Sequence, residues 1–285
     1  MSEDFVYKHL PDLTSVTPTI CHLLGVAYPK LSTDKKIHTI IRRSVIQNGS
    51  DKVKKCLIFC PDALGLNFIN RHTELFNPLF KTGGITLPVC SMFPPKTPVC
   101  FASMFTGAPP SVHGIKKYER PVLKCDTLFD ALTRAGKKVA IAAVQDSSMD
   151  IIFRGRDLDY YSEKDDNAVT EQTLELLRMR EHDIIVAYQQ EYDDILHQKG
   201  HESTEAIAAA GRHLTALETI TDAWNKYWSD FDRLLVYAPD HGAHSIDDSA
   251  ISDHGELIPD DMIVYHSYWF GNKITLEIQK SPLKY

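Results

Sequence analysis

The stretch CLIFCPDALG, residues 56–65, is a short run of apolar, β-favouring residues followed at once by Pro and Asp. It is apolar at every position and shorter than an ordinary helix, so it reads as a strand covered on both faces of a sheet. RLLVYAPDHG, residues 233–242, repeats the pattern with an apolar run and then Pro-Asp-His-Gly. KVAIAAV (138–144) ends in Gln-Asp-Ser-Ser, and DIIVAY (183–188) ends in Gln-Gln-Glu. MIVYHSYW (262–269) and ITLEI (274–278) are further strand candidates. Helical patterns lie between these runs at 66–80, 126–135, 168–180 and 202–228, the last carrying Ile207, Leu214, Leu217, Ile220 and Trp224 on one face. Strand-then-helix alternation predicts an α/β fold around a mostly parallel, doubly wound sheet. The chain shows no internal repeat, low-complexity segment or linker, so a single domain over 1–285 is expected. Residues 1–50, without a clear strand, are expected to be a helical flank or cover.

The composition excludes several classes of function. The chain has 285 residues, 43% hydrophobic and 24% charged, with net charge −7. That acidity argues against a nucleic-acid polymer or an anionic membrane as partner. It does not exclude a small phosphorylated substrate, because bound cations can reverse the local field. The N-terminus MSEDFVYKHLPDL lacks the apolar core of a signal peptide, and no run is long enough to span a membrane. Cys21, Cys56, Cys60, Cys90, Cys100 and Cys125 show no C-x-x-C spacing and several sit in apolar runs. Buried free thiols and a cytoplasmic location are therefore expected.

The polar residues gather where the strands end. Asp62 follows the first run, Asp193 the third, and Asp240 with His241 the fourth. The carboxyl ends of the strands form the ligand crevice of an open α/β sheet. Carboxylates delivered to one rim repel unless cations or protons compensate them, and a metal cluster is the economical explanation. In EYDDILHQKG, Asp193 and His197 are four apart and share one face of a helical turn. Asp240 and His241 are adjacent, and a turn at Gly242 would bring both to one ion. His254 lies before a glycine in SDHGELIP. Carboxylate with imidazole suits zinc, manganese or iron. Two ions with about three protein ligands each would leave positions open for substrate.

PPKTPVCFASMFTGAPPSVHGI (94–115) supplies the remaining part, a hydroxyl at Thr97 where an extended segment gives way to a helix over 98–106. A hydroxyl is a weak nucleophile unless activated, and a divalent ion is one means of activation. A helix N-terminus there would add free N–H groups and a positive dipole end, both favouring phosphate.

This segment resembles the nucleophile region of the alkaline phosphatase superfamily, most closely its nucleotide pyrophosphatase/phosphodiesterase branch. The resemblance runs from residue 62 to 254, through five motifs in the family's order. It implies an alkaline-phosphatase-like three-layer α/β/α sandwich, with Thr97 as nucleophile. It further implies one divalent ion on Asp62, Asp240, His241 and Thr97, and a second on Asp193, His197 and His254. Zinc is the expected metal, with manganese as the alternative. The implied activity is hydrolysis of a phosphodiester or nucleotide pyrophosphate through a phospho-threonine intermediate. A Cys or Ser in place of Thr97 would have pointed to a sulfatase.

Two departures keep other readings open. Leu196 stands where a Gly commonly precedes the pair's His, and Tyr118 stands where phosphodiesterases usually carry a phosphate-contacting Asn. Lys96, Lys117 and Tyr118 are thus candidate substrate contacts, and a phosphomonoesterase or phosphomutase is the alternative within the same fold. A non-catalytic protein binding metal or a phosphorylated metabolite is the alternative of another class. His244, Asp247, Asp253 and His266 compete as ligands, Tyr188 and Tyr192 are candidates to stack on substrate, and His113 reads as structural.

Overall fold

Seven strands form the central sheet of the computed structural model, which describes residues 9–81, 84–246 and 251–273. In chain order the strands are β1 Lys55–Pro61, β2 Ile85–Cys90, β3 Val139–Val144, β4 Asp159–Glu163, β5 Ile184–Gln189, β6 Arg233–Tyr237, β7 His244–Ser245, β8 Ser252–Asp253 and β9 Ile263–Gly271. The sheet order is β2-β9-β6-β1-β5-β3-β4, and β7 pairs with β8 alone. Pairs from β6 through β4 are parallel, while β9 is antiparallel to both β6 and β2. The expected mostly parallel sheet is therefore present, with one reversed strand near an edge.

Period-two alternation divides the core between two helical layers. Cys56, Ile58 and Cys60 of β1 face a layer that includes helices Val16–Leu24, Thr97–Thr106, Leu128–Arg134 and Ser148–Ile152. Leu57 and Phe59 face the opposite layer, which includes Asp166–Met179, Glu191–Lys199 and Thr204–Tyr227. Apolar residues on both faces of the same strand are what made its sequence continuously hydrophobic. The result is an α/β/α sandwich whose central strands deliver their carboxyl ends to one rim.

The sequence reading is corrected in several places. The helix expected over 66–80 is two short helices, Leu66–Arg71 and Asn77–Lys81. Pro78 falls in the first turn of the second, where its missing N–H has no helical partner to lose. β2 is an edge strand interrupted by Pro88, which an edge tolerates. β4, with sequence DYYSE, is a partly exposed edge without an apolar run. Within residues 1–50, helices Val16–Leu24 and His38–Asn48 pack on the sheet layer, through residues such as Ile20 and Ile40. The strand expected at 274–278 lies outside the described residues.

Candidate active site

Asp62 leaves the end of β1 fully buried, and Asp240 and His241 leave β6 equally buried. The residue after Asp62, Ala63, has φ 61°, a left-handed conformation strained for a side chain with a Cβ. Its N–H donates to Asp240 Oδ1 at 3.3 Å, so the bent turn of one strand is tied to the carboxylate of its neighbour. Asp193 sits in the first turn of helix Glu191–Lys199 immediately after β5, and His197 one turn later. His254 follows β8 and lies with its ring stacked on His241, centroids 3.9 Å apart, and 5.1 Å from His197.

These side chains form two donor sets. Asp62, Asp240 and His241 have ligand atoms within 4.8 Å of one another, and so have Asp193, His197 and His254. His241 Nε2 is 3.5 Å from Asp62 Oδ1 and 3.3 Å from Asp240 Oδ2. Asp193 Oδ1 is 3.5 Å from Nε2 of both His197 and His254. The first set is wholly buried; in the second only His254 is.

The tautomers follow from the far sides of the rings. His241 Nδ1 is 3.1 Å from Gly242 O, His197 Nδ1 3.1 Å from Ser252 O, and His254 Nδ1 2.7 Å from Pro95 O. A backbone carbonyl can only accept, so each Nδ1 carries the proton and each Nε2 offers a lone pair inward. This is the arrangement of metal-ligating imidazoles, whose second nitrogen is held by an outer acceptor.

The carboxylates point the same way. Asp62 Oδ1, Asp240 Oδ2 and Asp193 Oδ1 are buried without a hydrogen-bond partner. Burial and the neighbouring Asp240 and Asp193 charges push Asp62 well above the usual carboxylate range, and burial pushes Asp240 up to about 8. Burial, together with His254, holds His241 well below the usual imidazole range. Three inward oxygens and three inward imidazole nitrogens make two sites that fit cations of mixed O/N preference. A bound divalent ion would restore the carboxylates to their charged form.

Thr97 stands over the buried set. It is 4% exposed, and its Oγ1 lies 3.3 Å from His241 Nε2. The helix it opens supplies fewer N–H groups than the sequence suggested. Pro98 has none, and Val99 and Cys100 return theirs to Lys96 O at 2.9 and 3.0 Å.

The described competing candidates are engaged in other contacts, though Asp253 Oδ1 lies 3.9 Å from His197 Nδ1, on the outer side of that ring. Asp253 accepts from Lys96 Nζ at 3.1 Å, and His266 Nε2 is bonded to Pro239 O at 2.9 Å. His244 Nδ1 pairs with Asp261 Oδ1 at 2.8 Å, and Asp261 Oδ2 takes the N–H groups of Gly255 and Glu256 at 2.7 and 2.8 Å. Asp261 thus anchors the loop carrying His254, a role the sequence did not signal. Asp247 lies outside the described residues. Lys96 Nζ bonds both Asp253 and the His254 carbonyl, which clamps the Thr97 segment to the His254 loop. Lys117 and Tyr118 are not brought to the cluster: both are exposed, and Lys117 faces Glu119 at 3.9 Å. Tyr188 and Tyr192 are buried, not available to stack on substrate. Tyr188 donates its hydroxyl to Asp62 Oδ2, and Tyr192 packs on Phe68. His113 is structural, between Ser103 Oγ at 2.9 Å and the Ile115 N–H at 3.2 Å.

Comparison with known proteins identifies the family. The model of type I phosphodiesterase/nucleotide pyrophosphatase matches residues 56–281. No curated protein sequence matches the chain. Among solved structures, an inactive murine ectonucleotide pyrophosphatase/phosphodiesterase 5 in complex with AMP superimposes with TM-score 0.56 at 17% identity, covering 68% of this chain and 59% of its own. A 2-O GAG sulfatase, BT1596, gives 0.55 at 11% identity, covering 78% and 64%. The zinc complex of the periplasmic domain of EptC from Escherichia coli gives 0.52 at 11%, covering 77% and 73%. These likenesses establish an alkaline-phosphatase-like fold, and the chain spans less than two thirds of the pyrophosphatase structure's length. The chain belongs to the type I phosphodiesterase/nucleotide pyrophosphatase family.

Proposed function

We propose that this family member is a two-metal phosphohydrolase that cleaves phosphodiester or nucleotide pyrophosphate bonds of a small substrate through a phospho-threonine intermediate. The observation that carries the proposal is the Thr97 hydroxyl 3.3 Å from His241 Nε2, which itself lies 3.5 Å from Asp62 Oδ1 and 3.3 Å from Asp240 Oδ2, two buried oxygens without a hydrogen-bond partner. Asp62, Asp240, His241 and Thr97 would hold one ion, and Asp193, His197 and His254 the other. Zinc is the metal the O/N donors favour, with manganese next. Such ions lower the pKa of a hydroxyl or water and offset the charge that develops on phosphorus oxygens.

The protein's own groups do the rest. Thr97 Oγ1 bonds to phosphorus as the bond to the leaving oxygen breaks, and water then cleaves the phospho-threonine. The Nδ1–H bonds to Gly242 O, Ser252 O and Pro95 O keep the three imidazole lone pairs aimed inward. Lys96, tied to the His254 loop, fixes that loop against the nucleophile segment and puts a positive charge next to the site. The buried set excludes water from one side, while the partly exposed Asp193 and His197 leave substrate an approach from the other. The free cysteines fit a reducing, cytoplasmic setting; among the described residues no helix is long and apolar enough to cross a membrane.

Thr97→Ala tests the reading. It should abolish release of p-nitrophenol from bis-p-nitrophenyl phosphate and from p-nitrophenyl phosphate while metal content stays at the wild-type level. Undiminished turnover would remove Thr97 from the mechanism, and less than one ion per wild-type chain would remove the metals. The ratio of catalytic efficiencies on the two substrates separates a diesterase from a monoesterase.

A further inference from the structure

Tyr188 reaches the donor sets from inside the sheet. It is the β5 residue paired with Cys60 of β1, two positions before Asp62, and is 2% exposed. Its ring meets Phe101 of the Thr97–Thr106 helix edge-on, centroids 5.4 Å apart, and its hydroxyl donates to Asp62 Oδ2. The other oxygen of the same carboxylate, Oδ1, has no hydrogen-bond partner and faces His241 Nε2 at 3.5 Å.

Pairing is not the rule for buried tyrosines in this core. The hydroxyls of Tyr192, Tyr237 and Tyr268 are buried without a hydrogen-bond partner. The hydroxyl that is paired is the one directed at a residue of the cluster. A carboxylate has two oxygens and can rotate, so a fixed donor on one of them decides which oxygen is presented.

We propose that Tyr188 is a positioning residue that occupies Asp62 Oδ2 and thereby commits Asp62 to offer Oδ1 alone to a cation in the Asp62–Asp240–His241 set. The inference rests on the two-metal reading above and deepens it. Tyr188 itself touches neither substrate nor reacting atoms. Outer groups that orient a ligand typically change metal affinity about 10- to 100-fold when removed. Without the hydroxyl, Asp62 Oδ2 is left buried and unpaired, the carboxylate is free to turn, and the cation meets a poorer ligand.

The test is Tyr188→Phe, which keeps the ring and removes one oxygen. Zinc affinity is read by competition with a chromophoric chelator, without reference to turnover. One of two zinc ions should bind about 10- to 100-fold more weakly while the other is unchanged. Excess zinc should restore most of kcat, and thermal unfolding in excess chelator should stay cooperative, with only the modest loss expected of one unpaired buried oxygen. Phe101→Leu serves as the packing control: it should lower thermal stability and leave both affinities intact. Unchanged zinc affinity in Tyr188→Phe overturns the proposal, as does equal loss of zinc in Phe101→Leu. Failure of Tyr188→Phe to fold in saturating zinc also overturns it, because the hydroxyl would then be structural. If wild type holds its ions and only Tyr188→Phe behaves as wild type, the two-metal reading survives; if wild type holds none, both fall.

Discussion

Gly65 and Gly242 touch backbone to backbone: a Cβ added to Gly242 would lie 2.7 Å from Gly65 Cα and 2.0 Å from the Asp260 carbonyl oxygen. A Cβ on Gly65 would lie 2.8 Å from both Gly242 Cα and that same oxygen. The turns after β1 and β6 can therefore close on each other only if both residues are glycine. That approach brings Asp62 together with Asp240 and His241. Neither glycine is needed for a positive φ; the requirement is space.

Gly242→Ala should accordingly cost about 1–3 kcal/mol, the usual penalty for overpacking a site whose neighbours are backbone and cannot rotate away. Urea unfolding would show a lower midpoint with an unchanged slope, and turnover should fall along with zinc retention. A variant as stable and as active as wild type would contradict the close approach.

Metal-free protein should lose stability as pH rises. Asp240 is raised from the ordinary 3.8 to about 8 in the fold, and Asp62 is raised in the same direction. Over that interval the folded state binds more protons than the unfolded one, so stability falls with increasing pH. Burial lowers His241 and His254, whose contribution is present above the ordinary imidazole value of 6.5 and lost below it. Between about pH 6.5 and 8 the carboxylates act together with His197, which its hydrogen bond with Asp193 raises, and all of them make stability fall as pH rises. Thermal unfolding in chelator should give a falling melting temperature across that window, and added zinc should remove the trend.

Asp193 Oδ1 serves both His197 and His254 at 3.5 Å, so it is the common member of the partly exposed set. Asp193→Asn should leave one ion per chain and reduce kcat/KM on bis-p-nitrophenyl phosphate by about 100-fold or more, the scale of losing one ion's charge stabilisation. Because the site is on the rim, melting temperature in chelator should not drop. Two tightly held ions in this variant would disprove the assignment.

Phe105 lies in the last turn of the Thr97–Thr106 helix and packs into the layer below it, with ring centroids 5.0 Å from Phe129 and 5.5 Å from Phe153. It is fully buried, and Phe105→Ala should destabilise the fold by about 3–5 kcal/mol. Denaturant titration measures the loss. A change under 1 kcal/mol would mean that the cluster collapses around the missing ring.

The elements legible in the sequence were those whose surroundings are uniform. β1, β3, β5 and β6 are covered on both faces, so their apolar runs were continuous and their ends sharp. β2 and β4 escaped notice because edges need no such run: one contains Pro88 and the other is DYYSE, half open to solvent. Leu66–Arg71 and Asn77–Lys81 had read as one helix because apolar spacing does not report a break between two short turns. For the donor residues, residue type, order and position after a strand were all readable, since a parallel sheet sends its strand ends to one side.

By itself the sequence determined the layered α/β sandwich, its family and the residues that could serve at its rim, because periodicity and motif order are properties of the chain. Only the tertiary structure decided which atoms face inward. The carbonyls of Gly242, Ser252 and Pro95 set the imidazole tautomers, Tyr188 sets the carboxylate oxygen, and the contact of Gly65 with Gly242 sets the distance between two strand ends. Those partners are remote in sequence or lie in the backbone, and a hydrogen bond's direction depends on where its acceptor sits in space, which no local pattern encodes.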